Sequence, residues 1–200
     1  MSVLWQPLPQ QISFGGRRYR MRLAFDNVLA ALALLEDPDV TDRNRVDWTL
    51  QLLVPGARRL PAADKQKLLE EILRRFVFFS RRKSRGGQPK AMDFEFDDDL
   101  IYASFLQAYG IDLLQRRGRM QWWEFYSLLQ GLPEKTKLRE VMSIRQRSVP
   151  PYNGHNQEEL RRLLELKQYY AIPGSAGTDD YQTGLQKLWN TLERQAKQNA

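Results

Sequence analysis

Three groups of residues have types that could do chemistry: a carboxylate cluster, a cationic run and a single histidine. The carboxylates are Asp93, Glu95, Asp97, Asp98 and Asp99. Hard divalent cations take oxygen ligands of this kind. The segment nevertheless lacks the loop glycine, the alternating ligand spacing and the distal glutamate of a calcium loop. Capping explains more: Asp97 to Asp99 precede an apolar helical stripe of Ile101, Phe105 and Ala108, where carboxylates satisfy free amides and favour the helix dipole. His155, the only histidine, has no nucleophile or carboxylate motif nearby and reads as structural. Phosphate-binding glycine loops, GxSxG and HExxH are all missing from the sequence. The absence of cysteine excludes disulfides, thiolate catalysis and Cys-based metal sites. The sequence therefore predicts a protein that is not an enzyme and needs no metal or cofactor.

The cationic run is Ser80 to Lys90, which has no large apolar residue and no carboxylate. Arg81, Arg82, Lys83 and Arg85 make it the nucleic-acid candidate of the sequence. It lacks the interleaved aromatics on which single-strand binders stack bases. A solvated connector is the simpler reading, and nucleic acid is not the expected partner. The net charge of +7 raises the question of an anionic partner without answering it.

The elements that must position these groups are mostly helices. A hydrophobic content of 42% suits a globular chain, and no apolar run approaches the roughly 20 residues of a membrane span. The reading is of a soluble protein. Leu8 to Met21 alternates around Gly15-Gly16 and predicts a β-hairpin (about 8–21) that must lean on helices or pair with another chain. From Leu23 the period becomes helical. Phe25, Val28, Leu29, Leu32 and Leu35 share a face that ends at Asp37-Pro38-Asp39. Thr41 or Asp42 caps a second helix with Val46, Leu50 and Leu53 inward. Pro61 opens a third, with Leu69, Ile72, Phe76 and Phe79 in line.

Beyond the acidic helix, which Gly110 stops, Trp122, Phe125, Tyr126 and Leu129 form another buried face, with Trp123 off that line as a partly exposed anchor. Glu134 to Arg147 predicts a helix with Leu138, Val141 and Met142 inward. The next begins at Asn156, paired with Glu159 in a capping-box arrangement, and carries Leu160, Leu163, Leu164 and Tyr170. The expected architecture is mainly α: one compact helical domain of about seven or eight helices with its N-terminal hairpin over 1–172. A small-residue linker (173–178) and a C-terminal amphipathic helix (179–200) striped by Tyr181, Leu185, Leu188 and Leu192 follow.

One stretch also carries a likeness. Phe94-x-Phe96-x-x-Asp98-x-Leu100-Ile101-Tyr102-Ala103-x-Phe105, Tyr109-Gly110-Ile111-Asp112-Leu113, Trp122-Trp123-x-Phe125, Leu128-Leu129-x-Gly131-Leu132 and Thr136-Lys137 resemble the bacteriophage gene-product-fifteen family. The hairpin with Leu23-Ala24-Phe25-Asp26, the Leu34-Leu35-Glu36-Asp37 helix end and Lys167-x-Tyr169-Tyr170-Ala171-Ile172-Pro173 extend the likeness over roughly the first 173 residues. Leu23-Ala24 departs from the family's polar pair.

The resemblance implies a role in tail morphogenesis. It points to an assembly chaperone that covers the helical tape-measure protein in the host cytoplasm and self-associates. The alternatives are a structural tail component kept in the virion and a nucleic-acid-binding regulator. On the chaperone reading, the contact residues expected are Tyr109, Trp122, Trp123, Tyr181, Leu185, Leu188 and Leu192.

Overall fold

The structure, a computed structural model, describes residues 7–78, 91–151 and 155–173. The chain is mainly helical, with eight α-helices and one antiparallel hairpin among the described residues. It divides into two compact units. The first holds residues 7–78 and 114–130, the second 91–113 and 131–173 apart from 152–154.

In the first unit the hairpin forms as the alternation dictates. Strands β1 (Gln11–Phe14) and β2 (Arg17–Arg20) pair with Ile12 opposite Tyr19. Gly15 and Gly16 both take positive φ, 55° and 75°, which a two-residue turn matching the strand twist requires. Ile12 and Tyr19 are buried, so the hairpin leans on its own unit.

The backbone of residues 22–25 is then held from two directions. Arg22 N–H donates to the Leu53 carbonyl at 2.8 Å, Phe25 N–H to Met120 at 3.0 Å, and Trp122 N–H to Leu23 at 2.7 Å.

Helix α1 (Phe25–Glu36) buries Phe25, Val28, Ala31, Leu32 and Leu35. Pro38 cannot continue it, and the Asp37 carboxylate accepts the Asp39 N–H at 2.9 Å. Helix α2 (Asp42–Leu53) buries Leu50 and Leu53, whereas Val46 is half-buried. Thr41 occupies its N-cap position with no side-chain capping bond. The corner is held instead by Arg45, which donates to the carbonyls of Asp37 (2.6 Å) and Val40 (2.8 Å).

Helix α3 (Ala62–Ile72) starts one residue after Pro61, which is its N-cap. It does not run straight on to Phe79. At Leu73–Val77 the chain widens into a π-turn, closed by Phe78 N–H on the Leu73 carbonyl at 2.8 Å, and this leaves Phe76 half-buried. Helix α5 (Leu113–Arg116) and helix α6 (Trp122–Gln130) complete the described helices of this stretch.

The second unit contains helices α4 (Asp98–Tyr109), α7 (Lys137–Gln146) and α8 (Gln157–Tyr169). Gly110 ends α4 in the left-handed conformation, φ 64°, with its N–H on Leu106 and that of Ile111 on Phe105. Ser104, buried on α4, accepts the Leu138 N–H at 3.1 Å and so fixes the start of α7. Two local expectations are corrected here. Asn156 caps α8 by position only, and its amide donates to the Pro151 carbonyl at 3.0 Å rather than closing a capping box. Of the α8 stripe only Leu163 is buried; Leu160 and Tyr170 are half-buried and Leu164 is 51% exposed. The expected linker and C-terminal helix lie outside the described residues.

Candidate protein-interaction groove

The carboxylate cluster caps the helix only in part: Asp98 and Asp99 accept first-turn amides of α4, those of Asp99 and Leu100, and Asp97 does not. Asp97 takes the N-cap position of α4 but makes no capping bond. Its carboxylate is gripped by Arg145 on α7 through two parallel bonds, Nη1 to Oδ2 at 2.6 Å and Nη2 to Oδ1 at 2.7 Å. This fork geometry is the strongest an ion pair offers. The same guanidinium donates from Nε to the Tyr170 carbonyl (2.7 Å) and from Nη1 to the Ala91 carbonyl (3.1 Å). Asp97 Oδ2 also accepts the Asp93 N–H at 2.9 Å. Both side chains are almost wholly buried, which is tolerable only because each polar atom has a partner.

The remaining carboxylates act locally. Asp93 Oδ1 accepts the N–H groups of Glu95 and Phe96, and Asp98 and Asp99 each accept the next residue's N–H. Among the described residues no group of three or more His, Cys, Asp or Glu is placed to hold a metal.

This clasp sets α8 beside α7. Lys167 on α8 adds a bond to the Arg145 carbonyl at 2.6 Å. At the far side of the clasp Lys137 stands 5.4 Å from the centre of the Tyr170 ring. Its pKa is raised, chiefly by a hydrogen bond to the Tyr170 side chain. Burial opposes this, and Glu140 reinforces it. Between α7 and α8 runs a groove of about 980 Å³. Its apolar floor is Met142, Ile144, Leu163 and Leu166, and its rims carry both signs of charge, Arg139 and Arg162 among the cations and Glu134 and Glu159 among the anions. Such a trough accepts the apolar stripe of a helix while its rims meet the polar flanks.

The sequence-predicted contact residues that are described divide between the two units, Trp122 and Trp123 in the first and Tyr109 in the second. Trp122 is a correction: it is 2% exposed, its indole N–H donates to the Val77 carbonyl at 3.0 Å, and its ring stacks on Phe125, which stacks on Phe25. It builds the core of the first unit and presents nothing to a partner. Trp123 is half-buried. Tyr109, also half-buried, meets Phe105 edge-on. Tyr181, Leu185, Leu188 and Leu192 lie outside the described residues, as do Arg81, Arg82, Lys83 and Arg85. The groove itself was missed from the sequence. Its signal was present in α8, whose Glu159, Arg162, Leu163 and Leu166 fall one helical turn apart on a single flank.

Residues 4–172 match a family model described as Bacteriophage Gp15 protein. No curated protein and no solved structure matches the chain.

Proposed function

The chain belongs to the bacteriophage Gp15 family, and we propose that it serves tail morphogenesis as an assembly chaperone for the helical tape-measure protein. The observation that supports this reading is the groove between α7 and α8, with an apolar floor and charged rims. A long helical client exposes apolar stripes that aggregate unless covered. Side chains recurring at three- and four-residue spacing fill such a trough, and mixed rim charges hold the client without fixing one sequence. Further apolar surface in the same unit supports the reading: Tyr169 is 77% exposed, and Phe96, Leu106 and Leu164 are each about half exposed.

The test is co-expression with the tape-measure protein. The native chain is expected to keep it soluble and to co-purify with it. Met142→Glu with Leu166→Glu, which places two charges on the groove floor, is expected to abolish both while the helical circular dichroism stays unchanged. Full rescue by that double variant would refute the groove, and no rescue by the native chain would refute the chaperone. Recovery of the protein from finished particles would instead favour a structural component.

A further inference from the structure

The sequence scatters arginines over residues 17–22 and 58–59, and the fold brings the two segments next to each other in the first unit. From Arg18 to Leu23 burial alternates residue by residue: Tyr19, Met21 and Leu23 are buried, and Arg18, Arg20 and Arg22 are exposed. The three arginines therefore stand on one face at two-residue spacing, about 6.7 Å apart along an extended strand. Opposite Arg20 and Arg18 on β1 are Gln11 and Ser13, both exposed. The 3₁₀ turn Pro55–Ala57 packs beside β2: a β-carbon at Gly56 would sit 3.7 Å from the Tyr19 ring. Arg58 and Arg59, both exposed, follow that turn directly.

None of these five arginines has an ion pair among the described residues. No acidic residue occurs before Asp26, nor between Asp47 and Asp64.

We propose that the hairpin face of Gln11, Ser13, Arg18, Arg20 and Arg22, flanked by Arg58 and Arg59, binds the phosphate backbone of a nucleic acid. Two features favour this over an acidic protein. The hairpin face carries no apolar side chain, whereas a protein partner is normally anchored by a buried apolar centre. Nucleic-acid interfaces are more polar and more positive. The row is also a line of like charges, which a polyanion can meet at several phosphates at once. Every charge on it is a guanidinium, whose planar fork suits phosphate oxygens. The amide of Gln11 and hydroxyl of Ser13 supply the neutral donors that commonly accompany such contacts. With no aromatic on the face there is no stacking platform, so recognition is indifferent to base sequence. The surface shares no residue with the α7–α8 groove or with the 81–90 run.

The experiment measures fluorescence anisotropy of a labelled single-stranded oligonucleotide with the full chain across a salt series. Five phosphate contacts give a slope of log K against log salt of about −3.5, a loss of affinity of about 100-fold between 50 and 200 mM salt. Arg18→Ala with Arg20→Ala and Arg22→Ala is expected to bring the slope to about −1.4 and that loss to about 7-fold. All three side chains are exposed, so the fold is expected to survive, with circular dichroism as the check.

Arg43→Ala with Lys135→Ala and Arg161→Ala removes the same charge elsewhere and is expected to leave more of the slope intact. The proposal is overturned if the native chain does not bind, or if the control triple is as damaging as the hairpin triple. It is also overturned if Arg81→Ala with Arg82→Ala and Lys83→Ala abolishes binding that the hairpin triple leaves intact, or if polyglutamate displaces the oligonucleotide at lower concentration than unlabelled DNA does. Tape-measure solubility, scored with the same hairpin triple, reports separately on the chaperone.

Discussion

Arg145 and Asp97, 48 residues apart in sequence, meet through two parallel charge-assisted bonds of 2.6 and 2.7 Å in the interior of the second unit. Removing one partner leaves the other charged and dry. Arg145→Met is therefore expected to cost about 3–5 kcal/mol in chemical denaturation. Arg145→Lys is expected to recover little, because an ammonium cannot reproduce the fork. Replacing both residues, Asp97→Leu with Arg145→Met, is expected to restore much of the loss, since the desolvation of both charges goes with them. A single-variant loss under about 1 kcal/mol, typical of an exposed pair, would contradict the burial.

Trp122→Phe is expected to destabilise the first unit by more than its lost volume implies. The Val77 carbonyl loses the indole N–H that now meets it at 3.0 Å, and an unsatisfied buried polar group costs about 1–3 kcal/mol. Urea unfolding of Trp122→Phe beside Phe125→Leu separates the polar contribution from the packing one, because the second variant removes ring contacts alone.

Lys137 is expected to make the stability of the second unit fall in alkali. Its folded pKa lies above the unfolded value near 10.4. The stabilisation is therefore fully present below that value and disappears as pH rises through the folded one. Native and Lys137→Met chains are expected to differ in denaturation midpoint at pH 8 and to converge as the pH rises through the folded pKa. Tyr170→Phe, which removes the largest cause of the shift, is expected to lower the Lys137 titration seen by NMR. A difference independent of pH would refute the linkage.

Gly110 stands at φ 64°, and a β-carbon added there would meet no heavy atom within 4 Å, so the cost of a side chain is conformational alone. Gly110→Ala is expected to lose about 1–2 kcal/mol by thermal denaturation. Gly110→Asn is expected to lose less, since asparagine tolerates the left-handed region. Equal losses would point to a contact rather than to the backbone.

Local features were legible because local physics determines them. The Gly15-Gly16 turn, the Pro38 break and the Gly110 stop all follow from the residue at the position. The fate of Asp97 did not, because its partner lies 48 residues downstream and only the fold decides that Arg145 outcompetes a helix amide. Trp122 shows both sides of this: its burial was legible from the stripe it shares with Phe125 and Leu129, whereas the carbonyl that meets its indole N–H lies 45 residues away and was not. The π-turn at Leu73–Val77 shifted Phe76 off a stripe that periodicity alone would have continued. The groove and the arginine face escaped for a related reason, since each is a juxtaposition of segments that are ordinary when taken singly.

The first unit closes around residues that arrive late. Leu23 and Phe25 exchange backbone bonds with Trp122 and Met120, and Phe25 stacks on Phe125 at 4.8 Å. During synthesis, the hairpin and α1 to α3 therefore leave the ribosome without the aromatic pair that completes their interior. The whole acidic helix α4 must be made before that pair exists. For several seconds, at ordinary elongation speeds of about 5–20 residues per second, the nascent N-terminal portion shows its greasy side to the cell, and any protein engaging it then meets a surface that the finished molecule no longer has.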